Sequence, residues 1–208
     1  MDIRKADILV HLNRKPDFLG KRIQEYQRAV GLTGDAVLAT HIEIVTDVRF
    51  DCIRTGSQTF PTCATPLYGR ADLEKALSGP DPSRVLLRLK NYDKWVTPPF
   101  IDALRASIAE TRGKKPTGWA SWLPKGFYNI LGLPSYWWNY ALHKIGFKKH
   151  SPIFNIPGGL MVCSEAGAHW LTAAFEAAWG IDPLFIEPDS EVCPGAFFVD
   201  PNIERVAV

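Results

Sequence analysis

Cys163, His41, Glu43 and Asp51 are the residues whose types and settings could together perform nucleophilic chemistry. Cys163 stands where the loop Asn155-Ile156-Pro157-Gly158-Gly159 gives way to MVCSEAGAHWLTAAFEAAWG, whose Ala, Leu, Phe and Glu content predicts a helix stopped by Gly180. At a helix start, unpaired N–H groups and the positive end of the helix dipole favour thiolate over thiol. The ordinary alternative is a packing cysteine, since cysteine is among the most buried residue types. A thiolate nucleophile needs an imidazole to hold its proton and hand it to a leaving group. His41, in a predicted strand, is the candidate, against the plainer reading of a hydrogen-bonded strand histidine. Glu43, two residues on, shares a strand face with His41 and could orient the ring or bind substrate. Asp51, on the returning strand, is the competing orienter, and its facing depends on the hairpin turn and on any bulge.

The elements that must position these residues are legible in outline. Ile8-Leu9-Val10 is a β-type run, and Phe18, Leu19, Ile23, Tyr26 and Val30 have the spacing of an amphipathic helix. Residues 36–54 alternate as a hairpin whose polar Thr46-Asp47 pair is the expected turn. A turn-rich stretch from Thr55 to Pro66 follows, then a short helix near 72–77 and a strand over Arg84–Leu89. Pro98-Pro99 opens a helix ending at Gly113. Residues 116–150, with Trp119, Trp122, Tyr128, Trp137 and Trp138 among proline breaks and a basic end, read as an insertion too short for a core of its own. Its aromatic rings either pack on the main domain or form a wall or lid for an apolar substrate. Ala196-Phe197-Phe198-Val199 is a last strand-like run.

Composition removes several function classes. At 208 residues the chain fits one domain with an insertion, and 24 Lys+Arg against 22 Asp+Glu leave a net charge of +2, too balanced to suggest nucleic-acid binding. No apolar run approaches the ~20 residues of a membrane-spanning helix, and no signal peptide is read, so a cytoplasmic setting is expected. A prophage-encoded origin fits equally well. Cys52, Cys63, Cys163 and Cys193 form no CxxC pair and read as reduced thiols, with a disulfide left open for a setting outside the cytosol. The five histidines, His11, His41, His143, His150 and His169, show no zinc spacing, and the two glycines Gly158-Gly159 lack the rest of a phosphate loop. His169, six residues after Cys163, points away from it on a helix and reads as structural. Glu165 suits a first helical turn by its charge alone.

Asp7-Ile8-Leu9-Val10, Thr40-His41-Ile42-Glu43-Ile44 and Val162-Cys163-Ser164-Glu165, taken in that order, resemble the circularly permuted branch of the NlpC-type papain-like cysteine hydrolases, whose best-known members are YiiX-like. The resemblance covers three short motifs spread over most of the chain. It implies an α+β fold, an antiparallel sheet packed on the helix that carries Cys163, with His41 as base and Glu43, or else Asp51, as third polar residue. It further implies a cysteine peptidase or amidase acting without a cofactor on a cell-wall peptide or an acyl-lipid amide or ester. Ala6 stands where many relatives have glycine, and the Trp-rich insertion is a second departure; both leave the substrate open. Two rival readings remain. One is a non-catalytic binding or assembly module of the same fold that uses the aromatic insertion as its contact surface. The other is a protein whose Trp and Lys residues dock peripherally on anionic lipid. Oligomeric state is not legible.

Overall fold

Alternation along the first two strands sends one set of side chains to each side of a sheet, and this decides what each helix covers. The computed structural model describes residues 1–59, 61–129, 138, 141–142, 145, 161–181, 183–185 and 192–207. Its strands are β1 (Ile8–Leu12), β2 (Ala39–Val48), β3 (Cys52–Gln58), β4 (Cys63–Ala64), β5 (Leu67–Gly69), β6 (Arg84–Leu89) and β7 (Ile203–Arg205). They form one antiparallel sheet in the order β4-β3-β2-β1-β6-β7, with β5 also paired to β3. The helices are α1 (Phe18–Ala29), α2 (Asp35–Leu38), α3 (Arg70–Leu77), α4 (Tyr92–Trp95), α5 (Pro98–Gly113) and α6 (Cys163–Trp179). The chain is thus α+β, as its sequence pattern predicts.

One face of the sheet presents Ile8, Val10, Ile42, Ile44, Val85 and Leu87 to α5 and α6, where Phe100, Leu104, Ile108, Ala166, Trp170 and Phe175 complete the main core. The opposite face presents Leu9, Val45, Ile53 and Leu86 to Leu73 and Leu77 of α3. Glycine lets the layers approach: a side chain at Gly167 of α6 would collide with Ile42, and one at Gly56 of β3 would sit 2.6 Å from Ile108 Cδ1. The Trp170 indole N–H donates to Thr111 Oγ1 at 2.9 Å, so the one polar atom of a buried tryptophan is satisfied across the α5–α6 contact. Below the sheet, Asp7 is wholly buried and accepts two bonds from Arg88, at 2.7 and 2.8 Å, while Ala6 before it takes a left-handed φ of 64°. That conformation favours glycine, so Ala6 carries some backbone strain.

Three local expectations change. The hairpin does not turn at Thr46-Asp47: β2 runs through them to Val48, and the reversal falls at Arg49–Asp51. A register shift between Val45 and Asp47 absorbs Thr46, whose hydroxyl donates to Arg54 O while Arg105 donates to its carbonyl. The polar pair is therefore satisfied inside the ladder rather than by a turn. Ala196–Val199 is no strand but lies largely within a 3-10 turn over Pro194–Phe198, opened by Pro194, and the last strand is Ile203–Arg205. Of the aromatic insertion, residues 130–137, 139–140, 143–144 and 146–150 lie outside the described residues, as do Gly158 and Gly159. Its first part is a 3-10 turn over Gly118–Ala120 with Trp119 and Trp122 exposed and Ala120, Leu123 and Tyr128 buried. No helix among the described residues is long and apolar enough to cross a membrane.

Candidate functional site

The end of β3 leaves part of its neighbour uncovered, and the start of α6 fills that place. The β2–β3 ladder begins at Glu43↔Ser57, whereas β1 pairs with β2 on the other side through His11↔His41 and Leu12↔Ala39. Thr40 is the extra residue between the last two pairs, a bulge next to His41. The Cys163 sulfur lies 4.0 Å from the Thr40 carbonyl oxygen and accepts from the Ile42 N–H. These are the two peptide groups that flank His41, so the sulfur sits beside the histidine's backbone.

The Cys163 thiol is buried, 5% exposed, among Ile23 and Tyr26 of α1, Tyr128, Val162 and Cys193. Burial pushes it up to about 11, although the N–H groups of Ile42 and Ser164 and the Tyr128 hydroxyl favour the thiolate and Glu165 opposes it. Glu165 lies in the first turn, where its charge was expected to suit the helix, and it also accepts from the Val162 N–H at 2.9 Å and so caps the helix. In this arrangement the sulfur is a neutral thiol at pH 7.

His41 and Glu43 issue from the other face of the sheet, the one that also carries Leu9 of β1 and Val45 of β2. His41 Nε2 meets Ser57 Oγ at 2.9 Å and stands 3.7 Å from Glu43 Oε1. Glu43 also takes His11 Nε2 at 3.1 Å, the Thr55 hydroxyl on Oε2 and the Tyr68 hydroxyl at 2.8 Å. The two imidazoles meet edge to face with centroids 5.1 Å apart. Burial and the neighbouring His11 lower His41 from 6.5 to about 4, against the pull of Glu43. Burial alone would raise Glu43, yet the hydrogen bond and charge of His11, with Thr55 and His41, hold it at about 2. The histidine is neutral and the carboxylate ionised at pH 7.

The structure thus places Cys163 at the helix start and Glu43 beside His41, as the sequence predicts, and places Asp51 elsewhere. Asp51 is exposed in the β2–β3 reversal, at the end of the hairpin remote from His41, where it serves Arg70 N through its carbonyl. No hydrogen bond joins His41 to Cys163: the ring's contacts run through Nε2, and among the described residues none holds Nδ1. His169 is half-buried farther along α6, and Cys193 is buried in the cluster that covers Cys163. All four cysteines are free thiols.

His11, Thr55, Ser57, Tyr68 and Tyr128 were not singled out from sequence. His11 was visible as a polar residue in an apolar strand, two positions beyond Leu9 on one face. Ser57 and Tyr68 carried no local signal, because pairing alone sets Ser57 opposite Glu43 and brings Tyr68 on β5 within reach of it. Among the described residues no group of three or more His, Cys, Asp and Glu side chains is placed to hold a metal ion. No protein-family model, curated protein or solved structure matches the chain.

Proposed function

We propose that the chain is a cysteine hydrolase of the peptidase or amidase type, cleaving an amide or ester bond through Cys163 and His41. The observation that carries this reading is the seating of the thiol, at the start of a long helix, against the two peptide groups that flank His41, while Ser57 and Glu43 hold the far edge of the imidazole. In this reading the His41 ring turns so that Nδ1 reaches the sulfur. His41 then takes the thiol proton as the sulfur attacks the carbonyl carbon, and delivers it to the departing amine or alcohol. Water hydrolyses the thioester and restores the thiol. The Cys163 N–H, at a helix end with no intrahelical partner, is the donor best placed for the oxyanion. Glu43 is the orienting carboxylate.

The substrate class is a cell-wall-type peptide or an acyl-lipid amide. A second reading, a non-catalytic binding module that retains the fold, draws on the burial of Cys163 and on its lack of a bond to His41. Incubation with peptide amides and acyl-amide lipids, followed by intact mass measurement, separates the two. The hydrolase reading expects Cys163-dependent turnover with a transient acyl adduct, abolished in Cys163→Ser and reduced by roughly 100-fold or more in His41→Ala. Turnover that ignores either substitution, or none with both substrate classes, would leave the binding module standing.

A further inference from the structure

Between Glu110 and Glu165 the sequence has no acidic residue, yet it has Arg112, Lys114, Lys115, Lys125, Lys144, Lys148 and Lys149 and four tryptophans. Such a stretch contrasts with a chain whose overall charge is only +2. Its described part ends α5 and forms a tight turn. Trp119 is 62% exposed and Trp122 77%, although large apolar side chains gain most from burial. Trp119 lies in the 3-10 turn Gly118–Ala120 and Trp122 just after it, while Ala120 and Leu123 between and after them are buried and anchor the turn.

The base of the turn is fixed to a basic cleft. Gly126 N donates to Lys114 O at 2.7 Å, Cys63 N donates to Gly126 O at 2.8 Å, and the Gly126 Cα lies against the Arg112 backbone, where a side chain would not fit. Arg112 in turn lines a cleft of about 290 Å³ with Arg54, Arg105, Thr46, Asp47 and Thr65. Three guanidiniums there face one carboxylate. Arg105 is engaged with Asp47, at 3.7 Å, and with Thr46 O, whereas Arg54 and Arg112 have no ion pair among the described residues. Indoles exposed beside uncompensated positive charge are the chemistry of a membrane interface, where the ring enters the headgroup layer and the cations meet lipid phosphates.

We propose that the Trp119–Trp122 turn and the arginine cleft at its base dock this protein on an anionic lipid surface. The inference is independent of the thiol chemistry. A nucleic acid would use the same cations, but it would stack its bases in a groove, whereas these two indoles project from a turn.

Co-sedimentation of the full chain with vesicles of phosphatidylcholine alone, and of phosphatidylcholine and phosphatidylserine in equal parts, tests the proposal. The expected result is binding to the mixed vesicles only, weakening as salt rises. Trp119→Ala/Trp122→Ala should weaken it by about tenfold or more, and Arg54→Gln/Arg112→Gln by about fivefold per charge. The arginine pair serves as an independent check should the aromatic variant lose its fold by circular dichroism. Failure to sediment with either vesicle, binding unchanged in both folded double variants, or tighter retention on a single-stranded oligonucleotide than on the mixed vesicles would each overturn it.

Discussion

Cys163 and Thr40 meet across the edge of the sheet, sulfur to carbonyl oxygen at 4.0 Å, at the one bulged residue of the β1–β2 ladder. The contact sets the Cys163 thiol beside the backbone of His41 while the histidine ring is turned to Ser57 and Glu43. A protonated, enclosed thiol and a neutral imidazole whose outer edge is already held describe a resting state. The proposed hydrolase reading requires the ring to turn toward the sulfur and a substrate to pass Tyr128 and α1, which enclose the thiol.

That resting state has a reactivity signature. With its thiol near 11 and 5% exposed, Cys163 should react with iodoacetamide at pH 7 far more slowly than an unfolded cysteine, and accelerate as pH approaches 11. Tyr128→Phe removes a hydroxyl that donates to the thiolate, so the inflection should move to higher pH. Per-residue alkylation rates by mass spectrometry decide it; a fast reaction at pH 6 to 7 without substrate would contradict the enclosed resting state.

Acid should loosen the fold through the His41–Glu43 cluster. His41 is lowered from 6.5 to about 4, so the unfolded chain binds its proton first and stability is lost as pH falls from about 6.5 toward 4. Glu43, lowered from 4.5 to about 2, adds a second loss from about 4.5 down. Each contributes on the order of 3 kcal/mol at most, and less for His41, whose side chain is 21% exposed to screening solvent. Urea unfolding across this range should show the slope, and in His41→Gln the part between pH 6.5 and 4 should flatten.

Gly167 lies one turn along α6 from Cys163, tight against Ile42, the residue after His41. Gly167→Ala must displace a fully buried isoleucine or lift the helix, costing about 1–3 kcal/mol. Lifting the helix also draws Cys163 away from Thr40 and Ile42. The expected outcome is a lowered melting temperature, with the proposed hydrolase activity falling more than the loss of folded protein explains. Equal losses would confine Gly167 to packing.

Arg88 neutralises a carboxylate that has no exposure at all. Arg88→Met leaves Asp7 buried with only the Arg4 N–H as partner and should destabilise by about 3–5 kcal/mol. Asp7→Asn/Arg88→Met should recover part of that, because the uncompensated charge is gone. Chemical denaturation of both variants measures the difference; equal stabilities would show that the charge is not the cause.

The chain's own pattern determined the α+β class, both long helices around the core, the strand that bears His41 and the helix that opens at Cys163. These rest on local causes: strand alternation, Pro98-Pro99 at a helix start, Gly180 at a helix end. Glu43 as the neighbour of His41 was also legible, since two residues on one strand share a face. Tertiary structure alone decided the rest. Absorbing Thr46 into the ladder moved the reversal to Arg49–Asp51 and carried Asp51 away from the site, a choice settled by the Arg54 carbonyl across the hairpin and by Arg105 on a distant helix. Ser57, Tyr68 and His11 reach Glu43 only through strand pairing, and Tyr128 reaches Cys163 only through the packing of a loop. The enclosure of the thiol depends on contacts of Cys163 with Thr40, Ile23 and Tyr26, more than 100 residues away, and the turn of the His41 ring on Ser57 and His11, brought in from neighbouring strands. Such contacts arise from how apolar faces close on one another and leave no periodic mark in the sequence.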